Sequence, residues 1–177
     1  MGRIHTLRGT IEASRAVPTD PQLIFDYASV DQTKAWKVID ICFLPKKQIY
    51  EAPGLNKGGV SAHTFQLATD LGFDTEVLDA SENRTFAWQT VSTRNSEQLP
   101  EILSPTYSMD CVDPDHLITD QLYLSYVPWT EANENGIVWE WSYVIRLEAL
   151  KITSNESILQ AVKGKGQQVY PVNPWAP

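Results

Sequence analysis

A mainly β fold, two antiparallel sheets stacked as a sandwich with jelly-roll topology, is predicted by three features of the sequence. Runs of period-two alternation recur from one end of the chain to the other, about eight in all. Helix signals gather in one place, near residues 154–163. The connections mix short hairpin-like links with long Pro-rich ones, as in two-sheet folds rather than a βαβ repeat. At 177 residues the chain is long enough to bury one continuous core without staples. Residues 1–166 are therefore predicted to form a single domain that includes the helix, and residues 167–177 an extended Pro-rich tail.

The first run, residues 5–15, sets Leu7, Gly9, Ile11 and Ala13 against Arg8, Thr10, Glu12 and Ser14 before Pro18 and Pro21 break it. LIFDY at 23–27 is a shorter strand. AWKVIDICFL at 35–44 is apolar on both faces, which predicts a central strand covered on both sides and ended by Pro45. Residues 61–69 and 73–78, joined by Asp70-Leu71-Gly72, predict a hairpin. Residues 84–91 alternate Arg84, Phe86 and Trp88 with Thr85, Ala87 and Gln89. Between 92 and 115 the period is lost among Pro100, Pro105 and Pro114, and a loop of that length is usually functional or packed on a neighbour. HLITDQLYLSYV at 116–127 restores a strand.

The last run, IVWEWSYVIRLEALKI at 137–152, would span about 50 Å at roughly 3.4 Å per residue. One face carries Trp139, Trp141, Tyr143, Ile145 and Leu147; the other carries Glu140, Arg146 and Glu148. Burying three charges would cost far more than burying the aromatic groups, so the aromatic row is predicted to be a core wall and not a ligand platform. The helix follows directly. Thr153 and Glu156 have capping-box spacing, Ile158, Leu159 and Val162 form an apolar stripe, and Gly164 supplies a stop.

Composition narrows the function. The net charge is −8 and the basic residues are scattered, so no basic arm exists to hold phosphates and direct nucleic-acid binding is not expected. Two cysteines, Cys42 and Cys111, fit reduced thiols better than a secreted framework. The first fifteen residues lack an apolar signal region, which points to synthesis in the cytoplasm. No nucleophile elbow, phosphate loop or close His/Cys spacing occurs, and His5, His63 and His116 fall on separate predicted strands or strand ends. Asp113-Pro114-Asp115-His116 is the best metal-ligating fragment, but its composition is that of a turn. Glu140 and Glu148 lie about 27 Å apart along their strand, too far for joint acid–base work. The expectation is a protein that is not an enzyme, with no cofactor, no metal and no small-molecule substrate.

What remains is surface. Trp129 and Tyr107 fall in loops, and Tyr170, Val172 and Trp175 fall in a tail too poor in apolar groups to make its own core. These five residues are the predicted subunit interface, because large aromatic side chains anchor contacts. The runs DASENRTFAWQ, DHLITDQLYLSYV and VIRLEALKITSNESILQAVKGKGQQV resemble those of small coat proteins of tailless icosahedral viruses, particularly environmental phages, which are single jelly rolls. That resemblance covers roughly the second half of the chain. It implies a virion structural protein, a capsid subunit that self-assembles into a shell with copies of itself and other virion proteins. The missing basic arm leaves the genome to an inner membrane, which the shell would then contact, or to a separate DNA-binding protein. A carbohydrate-binding β-sandwich module is the alternative reading.

Overall fold

The computed structural model describes residues 2–14, 19–27, 33–50, 60–71, 84–94, 101–102, 111–113, 115–129 and 137–165. Its elements are β1 (Ile4–Ser14), β2 (Gln22–Asp26), β3 (Lys34–Tyr50), β4 (Val60–Ala68), β5 (Thr85–Arg94), β6 (Glu101–Ile102), β7 (Cys111–Val112), β8 (Gln121–Trp129), β9 (Ile137–Lys151) and α1 (Ser154–Lys165). They form two antiparallel sheets. One has the order β1-β9-β3, the other β2-β8-β4-β5-β6, with β7 also paired to β5. Among the described residues, seven strands have five residues or more, and β6 and β7 are two-residue segments. β1 pairs with β9, β2 with β8 and β4 with β5, so the chain is folded back on itself as a ribbon and then wrapped. This is the pairing order of a jelly roll. No described helix is long and apolar enough to cross a membrane.

β9 is the centre of the smaller sheet, hydrogen-bonded to β1 along one edge and β3 along the other. Its alternation works as the sequence predicts. Trp139 and Trp141 are both 0% exposed, Tyr143, Ile145 and Leu147 are buried with them, and Arg146 stands in solvent. On the outer face Arg146 pairs with Asp40, and Lys46 reaches Glu140 at 2.5 Å. Such exposed ion pairs contribute little. Tyr143 lies over its register partner Gly9, where a Cβ would run into the phenol ring. The glycine is thus needed for close approach of a side chain.

One strand departs from the role predicted for it. β3 is not a doubly covered central strand: among the described strands only β9 pairs along it, and on its other side Trp36 makes a single bridge with Ile118. Ile39 and Leu44 are 46% and 49% exposed. Its register shifts between Val38 and Asp40, so Ile39 becomes the extra residue of a bulge and leaves the inward set. Pro45 does not end the strand either. A second shift between Pro45 and Lys47 absorbs it, as bulges and edges can, and β3 runs on to Tyr50. The strands buried on both faces are β4 and β8: in β4 His63, Phe65 and Leu67 face the other sheet and Thr64, Gln66 and Ala68, pointing the opposite way, are buried too, and in β8 residues 122–128 are all buried.

The core lies between the sheets. Ile11, Ile41 and Phe43 meet Phe65, Leu67, Leu124 and Tyr126, and Phe43 stacks on Phe65 with centroids 3.9 Å apart. The capping box of α1 forms as predicted: the Thr153 amide donates to Glu156 Oε2 at 2.7 Å and the Glu156 amide donates to Thr153 Oγ1 at 3.2 Å. The Thr153 amide and hydroxyl, both donating to Oε2, hold the Glu156 carboxyl below its ordinary range. The helix continues through Gly164 to Lys165, and Ile158 and Leu159 of the apolar stripe are exposed, not packed on the sandwich. The predicted strand at 73–78 and the tail 167–177 lie outside the described residues.

Trp141→Ala should lower unfolding stability by about 3–5 kcal/mol in a denaturant titration, the range for emptying an aromatic core site. Glu140→Ala, one residue away on the outer face, should change it by less than about 0.5 kcal/mol.

Candidate functional site

The buried centre of the sandwich carries a polar network. His63 lies on β4 between the sheets, its Nδ1 2.8 Å from the Tyr126 hydroxyl and its Nε2 2.8 Å from Thr93 Oγ1. Trp141 Nε1 donates to the same Tyr126 oxygen at 3.1 Å. One ring nitrogen donates and the other accepts, so the neutral imidazole satisfies both neighbours. The ring also packs against Trp139 and Trp141, with centroids 5.4 and 4.8 Å away. Burial holds the His63 pKa down to about 3 and pushes the Tyr126 hydroxyl well above its ordinary range. No described carboxylate belongs to this network, and no face of it is open to a substrate. It ties β4, β5, β8 and β9 to one another.

The Asp113–His116 fragment is a turn. Asp113 Oδ1 accepts the Asp115 amide at 2.9 Å, and the Asp113 amide bonds the Phe86 carbonyl at 2.7 Å. His116 turns inward and stacks on Phe86, with centroids 4.4 Å apart. Among the described residues no three His, Cys, Asp or Glu side chains gather as metal ligands. Glu140 is engaged by Lys46 and Glu148 by the Gly2 amide at 3.2 Å.

The surface therefore holds the remaining candidates. Trp129 closes β8 and is 49% exposed, which leaves its indole available for contact. Tyr107, Tyr170, Val172 and Trp175 lie outside the described residues. Exposed Leu23 and Ile4 add apolar groups on β2 and β1. One further feature was not legible in the sequence: an open depression of about 440 Å³ at the end of the smaller sheet, lined by Gly2, Arg3, Lys34, Ala149, Leu150 and Lys151. Three cations from three distant segments converge there. Only the pairing register of β3 with β9, which sets Lys34 opposite Lys151, brings them together.

The His63 network makes stability depend on pH. The folded state keeps this imidazole neutral down to about pH 3, whereas the unfolded chain takes up the proton near 6.5. Between those values the unfolded state binds more protons, so the contribution of His63 is complete above pH 6.5 and is lost as the pH falls, by roughly 1.4 kcal/mol per unit. Denaturant titrations from about pH 7 down to 4 should show this slope, and His63→Gln should flatten it.

No protein-family model matches the chain, and no curated protein matches it. Among solved structures it is similar to a chain of the semi-empty virus-like particle of the nodavirus of the giant freshwater prawn Macrobrachium rosenbergii. The identity is 10% and the TM-score 0.35, over 85% of this chain and 95% of that one. It is also similar to VP1 of Trichodysplasia spinulosa-associated polyomavirus, solved with sialylated precision glycooligomers. There the identity is 11% and the TM-score 0.34, over 82% of this chain and 77% of that one. At such TM-scores the likeness carries no argument about partners or activity.

Proposed function

We propose that the chain is a virion structural protein, a coat subunit that assembles with copies of itself into a shell. The observation that carries this reading is the wrapped pairing order, β1 with β9, β2 with β8 and β4 with β5, which is the topology of jelly-roll coat domains and lectins. Fold does not give function alone, and the core supports the coat reading over the sugar-binding one. A sugar-binding sandwich needs exposed aromatic rings in a row. Here Trp139, Trp141 and Tyr143 are buried against His63, Phe65 and Phe43. The carbohydrate-binding alternative loses its platform and keeps only the single exposed indole of Trp129.

In the proposed assembly residues 1–166 form the body of the subunit, and residues 167–177 cross to a neighbouring copy, with Tyr170, Val172 and Trp175 as anchors. Trp129 and Tyr107 add contact from the loops. The subunit carries out no reaction, needs no cofactor and works in the virion, among copies of itself and other virion proteins. Genome contact falls to another component.

Sedimentation and electron microscopy of the purified full chain should show shells or regular oligomers. Deleting residues 167–177 should leave a folded domain by circular dichroism but weaken assembly. A chain that stays monomeric at every concentration and binds a glycan tightly would overturn the reading.

A further inference from the structure

Among the described strands of five residues or more, β1, β2 and β3 stand at sheet edges: β1 and β3 flank β9, and β2 flanks β8. Natural edges are blunted by bulges, prolines or charge, because their unpaired N–H and C=O groups otherwise pair with another chain. β3 has two register shifts and Pro45 along its length, and β2 has a shift between Leu23 and Phe25. β1 has neither device. Its 11 residues, Ile4–Ser14, pair with β9 without a break and contain no proline.

The backbone of β1 alternates. The Arg3 carbonyl accepts the Ala149 amide at 2.9 Å, so Arg3 and every second residue after it turn their polar groups to β9. Thr6, Arg8, Thr10 and Glu12 turn theirs the other way, toward an edge along which no described strand lies. The side chains of these four are exposed. Two of them carry charges that β9 does not answer. Glu12 lies directly opposite Glu140, and Arg8 lies opposite Val144 with Arg146 as a diagonal neighbour, so both meet like charge. Among the described residues, Glu140 is engaged by Lys46 and Arg146 by Asp40, while neither Arg8 nor Glu12 makes an ion pair. Four residues apart on one strand, about 13 Å, they do not reach each other.

A second β1 laid antiparallel along this edge answers both charges. Hydrogen-bonded pairs across the edge join only residues whose polar groups face it, so even-numbered positions meet even-numbered positions. Some of these registers set Arg8 opposite Arg8 or Glu12 opposite Glu12, which repel. The register centred on Thr10 sets Arg8 of each copy opposite Glu12 of the other, and within Ile4–Ser14 no other register opposes unlike charges on that face. Its three central pairs exchange about six N–H···O bonds. We propose that β1 is a contact between two copies of the chain, paired edge to edge about a two-fold axis at Thr10, with Arg8 of each copy against Glu12 of the other. The two three-stranded sheets then join as one. Because each copy uses its β1 edge once, the contact closes on a pair and does not propagate as a fibre. The inference rests on the coat-subunit reading and names one surface through which the copies meet.

The test uses full-length chains in sedimentation at low salt, where exposed charges are least screened, with circular dichroism as the check on folding. Arg8→Glu sets carboxylates against each other across the edge, and Glu12→Arg sets cations against each other. Each alone should associate at least tenfold more weakly than the unaltered chain. Both changes in one chain exchange the charges and should restore association, as should mixing the two single variants. Thr10→Pro should weaken it as well, because proline is tolerated where the N–H points out of the sheet but cannot donate across the edge. The amides of Arg8, Thr10 and Glu12, which β9 does not bond, should exchange slowly with deuterium in the associated chain. Fast exchange at those amides in a chain that still forms shells would overturn the edge contact and leave the coat reading intact. Slow exchange with no restoration by the exchanged charges would overturn the two-fold register and assign the edge to a different strand. A chain monomeric under all conditions would overturn both readings.

Discussion

The burial of one strand face governs the rest of the molecule. β9 supplies the hydrogen bonds that hold β1 and β3, and its Trp139, Trp141 and Tyr143 form the wall on which the larger sheet closes. Nothing else in the smaller sheet has that much apolar surface to remove from water. Its opposite face must then be polar, and the Arg146–Asp40 and Lys46–Glu140 pairs occupy it. The position of every other large element follows from which side of β9 it meets.

Inside that wall the molecule holds a polar cluster where an apolar one could stand. A Phe in place of His63 would need no partner, whereas the imidazole must find Tyr126 on one side and Thr93 on the other. A hydrogen-bonded centre of this kind admits one alignment of four strands and penalises a slip by one residue, which would leave each member unsatisfied in a dry interior. Packing supplies the stability and the network supplies the uniqueness.

Features written locally were legible in the sequence. The alternation of β1 and β9 and the Thr153–Glu156 cap each occupy a short window, and each formed as read. β3 was misread because alternation reports which residues share a face, not how many layers lie above it. Ile39 counts as inward until the bulge beside Val38 removes it from the series. Thr64 and Gln66 of β4 are polar yet buried, a second covered face that alternation does not report. The cationic depression was beyond any local signal, since Arg3, Lys34 and Lys151 become neighbours only once β1, β3 and β9 are aligned.

The pairing of β1 with β9 also dictates an order of events during synthesis. At ribosomal rates of roughly 5–20 residues per second, the first strand waits on the order of ten seconds for its partner to be made. Until β9 arrives, β3 has no strand to pair along, only the Trp36–Ile118 bridge, and the aromatic wall that closes the core does not exist. The larger sheet can begin with β4 and β5, which are adjacent in the chain, but the smaller one cannot begin at all. Two long strands with unpaired edges are therefore exposed on the nascent chain, and pairing between chains competes with folding until β9 is made.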